Sequence, residues 1–158
     1  MKFLVLRDTR EKDGKGWKFN ASQFCSGTLE SGLKTGDYTL LGYEDVICLE
    51  RKGSIIEWAN NMMQERFFRE LERMEKIRYP FILLEFSLKD IVDYPYCEGV
   101  PFSVRKKIKV SGAFLLRKLC EIQLKYKVKI ILCGDKESAK SIALSLFKRI
   151  VNETIEKD

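Results

Sequence analysis

Three short apolar runs along the chain are typical of buried strands. Residues 2–7 and 81–86 are nearly continuous apolar stretches, and residues 128–133 form a third. Runs of this length without alternation suit strands that are covered on both faces. Residues 36–57 have a different pattern, which predicts a strand, a tight turn and a second strand that leads into a helix.

Apolar residues spaced by three and four predict three helices. The first is a single long helix that begins after Ser54, with Glu57 completing a capping box, and ends before Pro80. Ser111 and Asp135 are the predicted N-caps of the other two helices. The apolar stripe of the first helix consists of Ile55, Ala59, Met62, Met63, Phe67, Leu71 and Met74.

Strands and helices alternate after the hairpin, which predicts an α/β domain with a mixed central β-sheet flanked by helices. No linker, repeat or low-complexity tract interrupts residues 1–158, so we expect a single domain. Three segments give weaker signals: residues 13–19 predict a mobile basic loop, residues 20–34 weak helix or irregular structure, and residues 87–110 a loop with a short basic helix. The last two helices carry broad apolar faces, which either pack internally or contribute to a symmetric dimer interface.

Composition narrows the chemistry that this domain can perform. The chain has no histidine, which excludes Ser-His and Cys-His catalysis and histidine-ligated zinc. Its five cysteines lack C-x-x-C spacing, as expected for reduced and mostly buried thiols of a cytosolic protein. The net charge of +6 suits a polyanionic partner. We expect a protein that is neither secreted nor membrane-spanning, located in the cytoplasm or, with a polyanionic partner, in a nucleoid or nucleus.

The hairpin brings acidic and basic residues together. With Tyr43 and Glu44 at the tip of the turn, Asp37 lies directly across from Glu50, and Lys52 falls on the same face of the sheet. Asp8, at the end of the first strand, adds a carboxylate if that strand lies beside the hairpin. Hard oxygen ligands of this kind favour Mg²⁺ or Mn²⁺. On spacing alone, an ordinary charged strand end remains an open alternative.

The same residues carry a resemblance to a known family. Gly36-Asp37 followed by Glu50-Arg51-Lys52 resembles the G-D-(x)n-E-R-K-x-x-x-D signature of the XPF family of structure-selective DNA endonucleases. Three further segments are similar to this family: residues 6–11 (Leu-Arg-Asp-Thr-Arg-Glu) to its V-D-x-R-E, residues 64–70 to its G-R-L-Y-x-Q, and residues 82–86 to its L-L-I-E-F. The resemblance covers roughly residues 3–150 and implies a restriction-endonuclease-like fold.

The resemblance also implies roles for individual residues. Asp37 and Glu50 would bind Mg²⁺ or Mn²⁺, with Asp8 as a further acidic ligand and the backbone carbonyl of Arg51 assisting. Lys52 would lie beside the attacking water. Arg10 and Arg66 would contact substrate phosphate as bidentate donors. For Glu11 and Glu85, a structural salt bridge is at least as good an interpretation.

Two departures from the family pattern affect these expectations. The final aspartate of the signature falls on Ile56, one place before Glu57, so Glu57 either replaces it or serves only as a helix cap. The chain also ends without the tandem helix-hairpin-helix module that XPF-type proteins usually carry. DNA affinity would then come from this domain, from a homodimer or from a partner protein.

Basic residues supply candidate DNA contacts outside the signature. Lys12, Lys15 and Lys18 lie near the first strand, and further clusters occur at residues 105–109 and 125–129. If two clusters line one groove, they bind phosphate in a sequence-indifferent and salt-dependent way. Trp17 and Tyr126 could stack on unpaired bases or pack in the core or at its rim.

The leading interpretation is a Mg²⁺-dependent endodeoxyribonuclease that hydrolyses phosphodiester bonds in branched or partly single-stranded DNA. The alternative is a non-catalytic DNA-binding module of the same fold, although the intact Glu50-Arg51-Lys52 argues against it. A nucleotide-binding α/β domain is a weaker third interpretation, because the sequence has no Gly-rich phosphate loop.

Overall fold

A six-stranded mixed sheet lies at the centre of the computed structural model, which describes residues 1–157. The strand order is β2-β1-β3-β4-β5-β6. The strands are β1 (Phe3–Asp8), β2 (Cys25–Ser31), β3 (Tyr38–Leu40), β4 (Ile47–Lys52), β5 (Tyr79–Leu84) and β6 (Lys129–Leu132). Strand β3 is antiparallel to both β1 and β4, whereas the pairs β1–β2, β4–β5 and β5–β6 are parallel. The predicted mixed sheet is therefore confirmed.

Helices cover both faces of the sheet and create two separate cores. The helices are α1 (Ile55–Asn61), α2 (Glu65–Met74), α3 (Leu88–Asp93), α4 (Gly112–Lys125) and α5 (Lys136–Ile155), together with the 3-10 helix Phe102–Lys107. Helices α1 to α4 pack around Trp58 and Ile82 on one face. Helix α5 packs around Phe147 on the other face, against Leu83. Within residues 1–157 no helix is both long and apolar enough to cross a membrane.

The single long helix predicted after Ser54 is wrong. The chain forms α1 and α2 instead, with a break at residues 62–64. The backbone carbonyls of Asn60 and Asn61 accept from the amides three residues ahead, and Gln64 is extended. The side-chain amide of Asn61 also donates to Gln64 Oε1 (3.3 Å), a hydrogen bond that spans the break. Met63, placed by its spacing on the apolar stripe, is consequently 64% exposed.

Two elements were missing from the sequence-based prediction. Strand β2 lies in the segment predicted as weak helix or irregular structure, and of its seven residues only Cys25 is buried. As an edge strand it needs few apolar positions, so it leaves little signal. Helix α3 is only six residues long, too short for a periodic pattern, although Ser87 and Asp90 form a capping box at its start. The predicted short basic helix is confirmed as the 3-10 helix.

The loop before β2, predicted to be mobile, is anchored to the sheet. The buried guanidinium of Arg7 donates to the carbonyls of Lys12 (2.8 Å) and Lys15 (2.7 Å). Trp17 is 1% exposed, and its ring lies 4.7 Å from that of Tyr38. Of the two interpretations of Trp17, packing in the core is therefore confirmed, and stacking on unpaired bases is not.

The apolar stripes of the last two helices pack largely inside the domain. Leu115, Leu119 and Ile122 of α4 are buried, as are Ala143 and Phe147 of α5. Leu116 of the predicted stripe is 36% exposed. The cysteines are free thiols, and only Cys120 is exposed among those within residues 1–157. Packing inside the domain thus accounts for most of the apolar face of each of these two helices.

Candidate active site

The hairpin has the register predicted from its turn. Tyr38 pairs with Leu49 in the antiparallel β3–β4 ladder, so Asp37 follows on opposite Glu50. The backbone amide of Arg51 donates to Asp37 Oδ2 (2.7 Å), and the Asp37 amide donates to the Leu49 carbonyl (2.8 Å). The carboxylate of Asp37 is therefore fixed by the strand that carries the E-R-K sequence.

Lys52 is the positive centre of the cluster. Its ammonium lies 3.3 Å from Glu50 Oε1 and 3.6 Å from Glu57 Oε1, and 5.3 Å from the centre of the Phe67 ring. The side chains of Lys52 and Glu50 are 9% and 13% exposed. Strand alternation places both on one face of β4, where α1 and α2 cover them.

Glu57 joins this cluster besides capping α1. Its amide donates to Ser54 Oγ (3.2 Å), so the predicted N-cap is confirmed. Its side chain accepts from the amide of Gly53 (3.4 Å), whereas a complete capping box would use the amide of Ser54. Ile56, at the signature's aspartate position, packs against the core instead. The side chain of Glu57 consequently approaches Lys52 from one position later in the sequence.

The protonation equilibria of the cluster reflect burial and crowding of like charges. Burial, partly offset by Lys52, raises the pKa of Glu50 to about 7. Burial and the neighbouring Glu50 raise the pKa of Asp37 well above its ordinary value. Burial disfavours the Lys52 ammonium, but Glu50, Glu57 and Asp37 outweigh it and raise the pKa of Lys52. Lys52 therefore keeps its proton near neutral pH.

The donor set of the cluster fits a hard divalent cation. Two desolvated carboxylates that resist ionising side by side are stabilised by a cation between them, and oxygen donors favour Mg²⁺ or Mn²⁺. Asp37 and Glu50 form such a pair. Among residues 1–157, no group of three or more acidic or cysteine side chains is arranged to hold a metal together.

Asp8 lies beside the hairpin, as the sequence suggested, but its carboxylate makes other contacts. Its backbone amide donates to the Asp37 carbonyl (2.8 Å), since β1 pairs with β3. Its Oδ1 accepts from the Leu33 amide (3.0 Å), and its Oδ2 accepts from Arg10 Nε (2.6 Å). Asp8 thus orders the Leu33 loop and Arg10 at the edge of the site.

The cluster opens into a polar cavity of about 640 Å³. Lys18, exposed on the loop beside Trp17, is the one predicted site residue that does not line it. The predicted residues that do line it are Asp8, Arg10, Lys12, Lys15, Asp37, Glu50, Arg51, Lys52, Glu57 and Arg66. Residues of the β1 end and its loop, the hairpin with α1, and α2 therefore converge on one cavity.

Helix α2 contributes two cavity residues that the sequence analysis did not single out. Glu70 lies close enough to raise the pKa of Glu50, accepts weakly from the Gly36 amide (3.4 Å) and forms a salt bridge with Arg73. Arg73 also lines the cavity. Glu70 is the last residue of the segment that resembles the family's G-R-L-Y-x-Q. That resemblance was the sequence signal from which its place in the site could have been predicted.

The Arg51 side chain points to the opposite face of the sheet. Its guanidinium forms salt bridges with Glu11 (2.9 Å) and Glu85 (2.8 Å), and Trp17 Nε1 donates to the second oxygen of Glu85 (2.8 Å). Although burial disfavours its charge, these two carboxylates raise the pKa of Arg51. The salt-bridge interpretation of Glu11 and Glu85 is thus the observed one, and this network anchors the end of β4.

Comparison with known proteins identifies the family. The family model of the ERCC4 domain matches residues 7–144, which include every residue of the cavity. The chain belongs to the ERCC4 domain family. The resemblance to XPF nucleases found in the sequence is thereby confirmed, together with the mixed sheet and flanking helices of that fold.

Solved structures of XPF from Aeropyrum pernix have a similar fold. XPF from Aeropyrum pernix is 20% identical with a TM-score of 0.62, and 91% of this chain and 64% of that chain are covered. XPF from Aeropyrum pernix in complex with DNA is 18% identical with a TM-score of 0.63, covering 97% of this chain and 66% of that one. This ERCC4 domain therefore spans just under two thirds of the length of those proteins. No curated protein sequence matches the chain.

Proposed function

We propose that this ERCC4 domain is a metal-dependent endonuclease that hydrolyses phosphodiester bonds in branched or partly single-stranded DNA. The observation that carries the proposal is the Lys52 ammonium, 3.3 Å from Glu50 and near the half-buried Asp37, in a cavity bordered by arginines. A paired carboxylate site with an adjacent protonated lysine matches what phosphodiester hydrolysis without histidine requires.

In this proposal Asp37 and Glu50 hold Mg²⁺ or Mn²⁺. The bound ion would neutralise charge that develops on the phosphate and make water more acidic. Glu70 and Glu57 lie near enough to Glu50 to raise its pKa, so they add to the negative potential that attracts a cation. Asp8 is a further candidate ligand. To bind the ion, its carboxylate would give up its salt bridge with Arg10.

Lys52 acts as a hydrogen-bond donor and not as a general base, because its raised pKa keeps it protonated. Its ammonium orients the water that attacks phosphorus and stabilises the negative charge as the bond to the leaving oxygen breaks. Glu57 is a positioning residue, since it contacts Lys52 at 3.6 Å and holds the ammonium towards the cavity.

Arginine and lysine side chains at the cavity rim bind the DNA backbone. The side chain of Arg10 is 72% exposed, and its remaining guanidinium donors suit a phosphate in bidentate geometry. Arg66 and Arg73 face the same cavity from α2, and Lys12 and Lys15 from the loop after β1. Such contacts are sequence-indifferent, so selectivity would come from DNA shape.

DNA as the substrate is supported by family membership and by the fold shared with the Aeropyrum pernix protein, whose structure was determined in complex with DNA. A homodimer or a partner protein that adds DNA affinity remains a prediction. Sedimentation of the chain with and without branched DNA would measure it.

Metal binding is expected to have a pH-dependent effect on stability. The pKa of Glu50 is raised from 4.5 to about 7 in the folded chain, so the folded state binds protons more tightly than the unfolded state. In EDTA the stability should therefore fall as the pH rises from about 4.5 through about 7. Mg²⁺ at about a hundred times its Kd should raise Tm by roughly 5 °C or more near pH 8 and have little effect near pH 5, where Glu50 is protonated.

The Glu50→Gln variant serves as the matched control in the same thermal melts. It should lose the part of the pH-dependent fall that is due to Glu50 and most of the Mg²⁺ shift, because the neutral amide does not titrate. Asp37, whose pKa burial also raises, should retain the rest of the fall. An equal Mg²⁺ shift in both proteins at high pH would contradict metal binding at Glu50.

The proposed activity is tested with a panel of labelled DNA substrates. Splayed, flapped, single-stranded and fully paired DNA would be incubated with the protein in Mg²⁺, in Mn²⁺ and in EDTA. We expect internal cuts near the branch of splayed and flapped DNA with either metal, and none in EDTA. Metal-independent binding without any cut product would instead identify the non-catalytic DNA-binding module.

A further inference from the structure

The segment between Glu98 and Glu121 concentrates the positive charge of the chain. Residues 99–120 contain six arginines and lysines and no acidic residue. Lys106, Lys107 and Lys109 are exposed, and within residues 1–157 none of them forms a salt bridge with a carboxylate. Their charges are therefore available to a polyanion.

An exposed aromatic side chain precedes these lysines. Phe102 begins the 3-10 helix and is 81% exposed, and no residue of that helix is buried. Arg105 donates to the carbonyls of Val100 (3.2 Å) and Cys97 (2.9 Å), and its guanidinium carbon lies 5.4 Å from the centre of the Phe102 ring. Arg105 thus holds the turn and supports one side of the ring, while the ring stays accessible to solvent.

The turn that carries Phe102 is packed next to the active site. Val100 is buried in the same core as Ile55, and a Cβ on Gly99 would lie 3.2 Å from Ile55 Cγ2. Ile55 is the first residue of α1, three positions after Lys52, and α1 also carries Glu57. The turn that carries Phe102 is therefore anchored on the helix that also supplies Glu57 to the cavity.

We propose that Phe102, Lys106 and Lys107 form a second DNA contact that captures an unpaired segment of the substrate. Phe102 stacks on an exposed base, and the two lysines bind the flanking phosphates. Single-strand sites combine a stacking aromatic with a positive surface because every base has an aromatic face. The inference rests on the proposed function for its choice of DNA as occupant. The Phe102 contact would distinguish unpaired from paired DNA, which the arginines at the cavity rim do not do.

The positive charge of the segment suits a polyanion, and the exposed Phe102 ring beside it suits the face of a base, so a nucleic acid is the occupant that uses both features. Paired bases are stacked on each other and cannot offer a face to Phe102, so duplex DNA gains only from the lysines. The contact should therefore matter most for substrates with a single-stranded arm.

The test is equilibrium binding of a labelled oligothymidine in EDTA, so that no cleavage interferes. Phe102→Ala and Phe102→Leu should each weaken binding by at least about fivefold, whereas Phe102→Trp should retain it. None of the three should change binding to an abasic strand of equal length. Replacing Lys106 and Lys107 by alanine should weaken binding to both strands and reduce its salt dependence.

Leu124→Ala is the matched control, because Leu124 is an apolar side chain that is 90% exposed at the far end of α4. It should leave both affinities unchanged. Equal oligothymidine affinity of wild type and Phe102→Ala would overturn the inference. So would a wild type that does not bind oligothymidine at low salt, or a Phe102→Ala variant that differs from wild type only in its oligomeric mass. A wild type that binds through Phe102 but never cuts would refute the nuclease and keep the contact. A wild type that cuts DNA but whose binding does not depend on Phe102 would keep the nuclease and refute the contact.

Discussion

Replacing Glu50 by glutamine is expected to lower the rate of DNA cleavage by at least about a hundredfold, because it removes one of two carboxylates proposed to hold the metal ion. The fold should persist, since the amide keeps the shape of the side chain and a carboxylate whose pKa is raised to about 7 is costly to keep ionised in its buried position. DNA binding in EDTA should be retained or slightly stronger, because a negative charge near the phosphates is lost. Single-turnover cleavage and equilibrium binding measure these two effects separately.

Glu72→Gln provides the control for this variant. Glu72 is exposed on α2 and does not line the cavity, so the same chemical change there should leave cleavage unaltered. Wild-type cleavage by Glu50→Gln would remove Glu50 from the mechanism. An equal loss in both variants would show that the effect is not specific to the site.

Arg51→Ala is expected to destabilise the fold by about 3–5 kcal/mol, because it leaves Glu11 and Glu85 buried without their cation. Their side chains are only 11% and 5% exposed, and Glu85 also accepts from the indole of Trp17. The loss should appear in chemical denaturation as a lower midpoint with little change in the slope. Since this network fixes the end of β4, the neighbouring Glu50 and Lys52 should also lose their alignment.

Arg149→Ala is the matched substitution on the surface. Arg149 pairs with Glu153 along α5, and its side chain is 71% exposed. Removing an exposed pair of this kind should cost less than about 1 kcal/mol. A cost for Arg51→Ala as small as that for Arg149→Ala would contradict the structural role of the Arg51 network.

Much of the site could be predicted from the sequence, because its geometry depends on local rules. The turn at Tyr43 and Glu44 sets the hairpin register, and strand alternation then places Asp37, Glu50 and Lys52 together. The opposite direction of the Arg51 side chain follows from the same alternation. Apolar runs likewise located β1, β5 and β6, and β1 and β5 are the buried strands that such runs predict. The expectation that β6 is also buried is wrong, because β6 is an edge strand and none of its residues is buried.

What the sequence did not predict depends on tertiary contacts. Strand β2 forms through pairing with β1, and its polar residues carry no pattern of their own. Glu70 lines the cavity from α2, a helix that begins after a break that the apolar spacing did not predict. The lysines around Trp17 left base stacking and core packing open, and the contacts with Tyr38 and Glu85 that hold it in the core cannot be read from the sequence.

The most direct test of the account is the single-turnover cleavage of a splayed DNA duplex, labelled at one end, by wild type and Glu50→Gln prepared in parallel. With Mg²⁺, the wild type should produce a discrete internal cut near the branch that disappears on chelation, and the variant should produce none. A wild type that leaves the substrate intact in both Mg²⁺ and Mn²⁺, or a cut of equal rate in Glu50→Gln or in EDTA, would contradict the proposed nuclease activity.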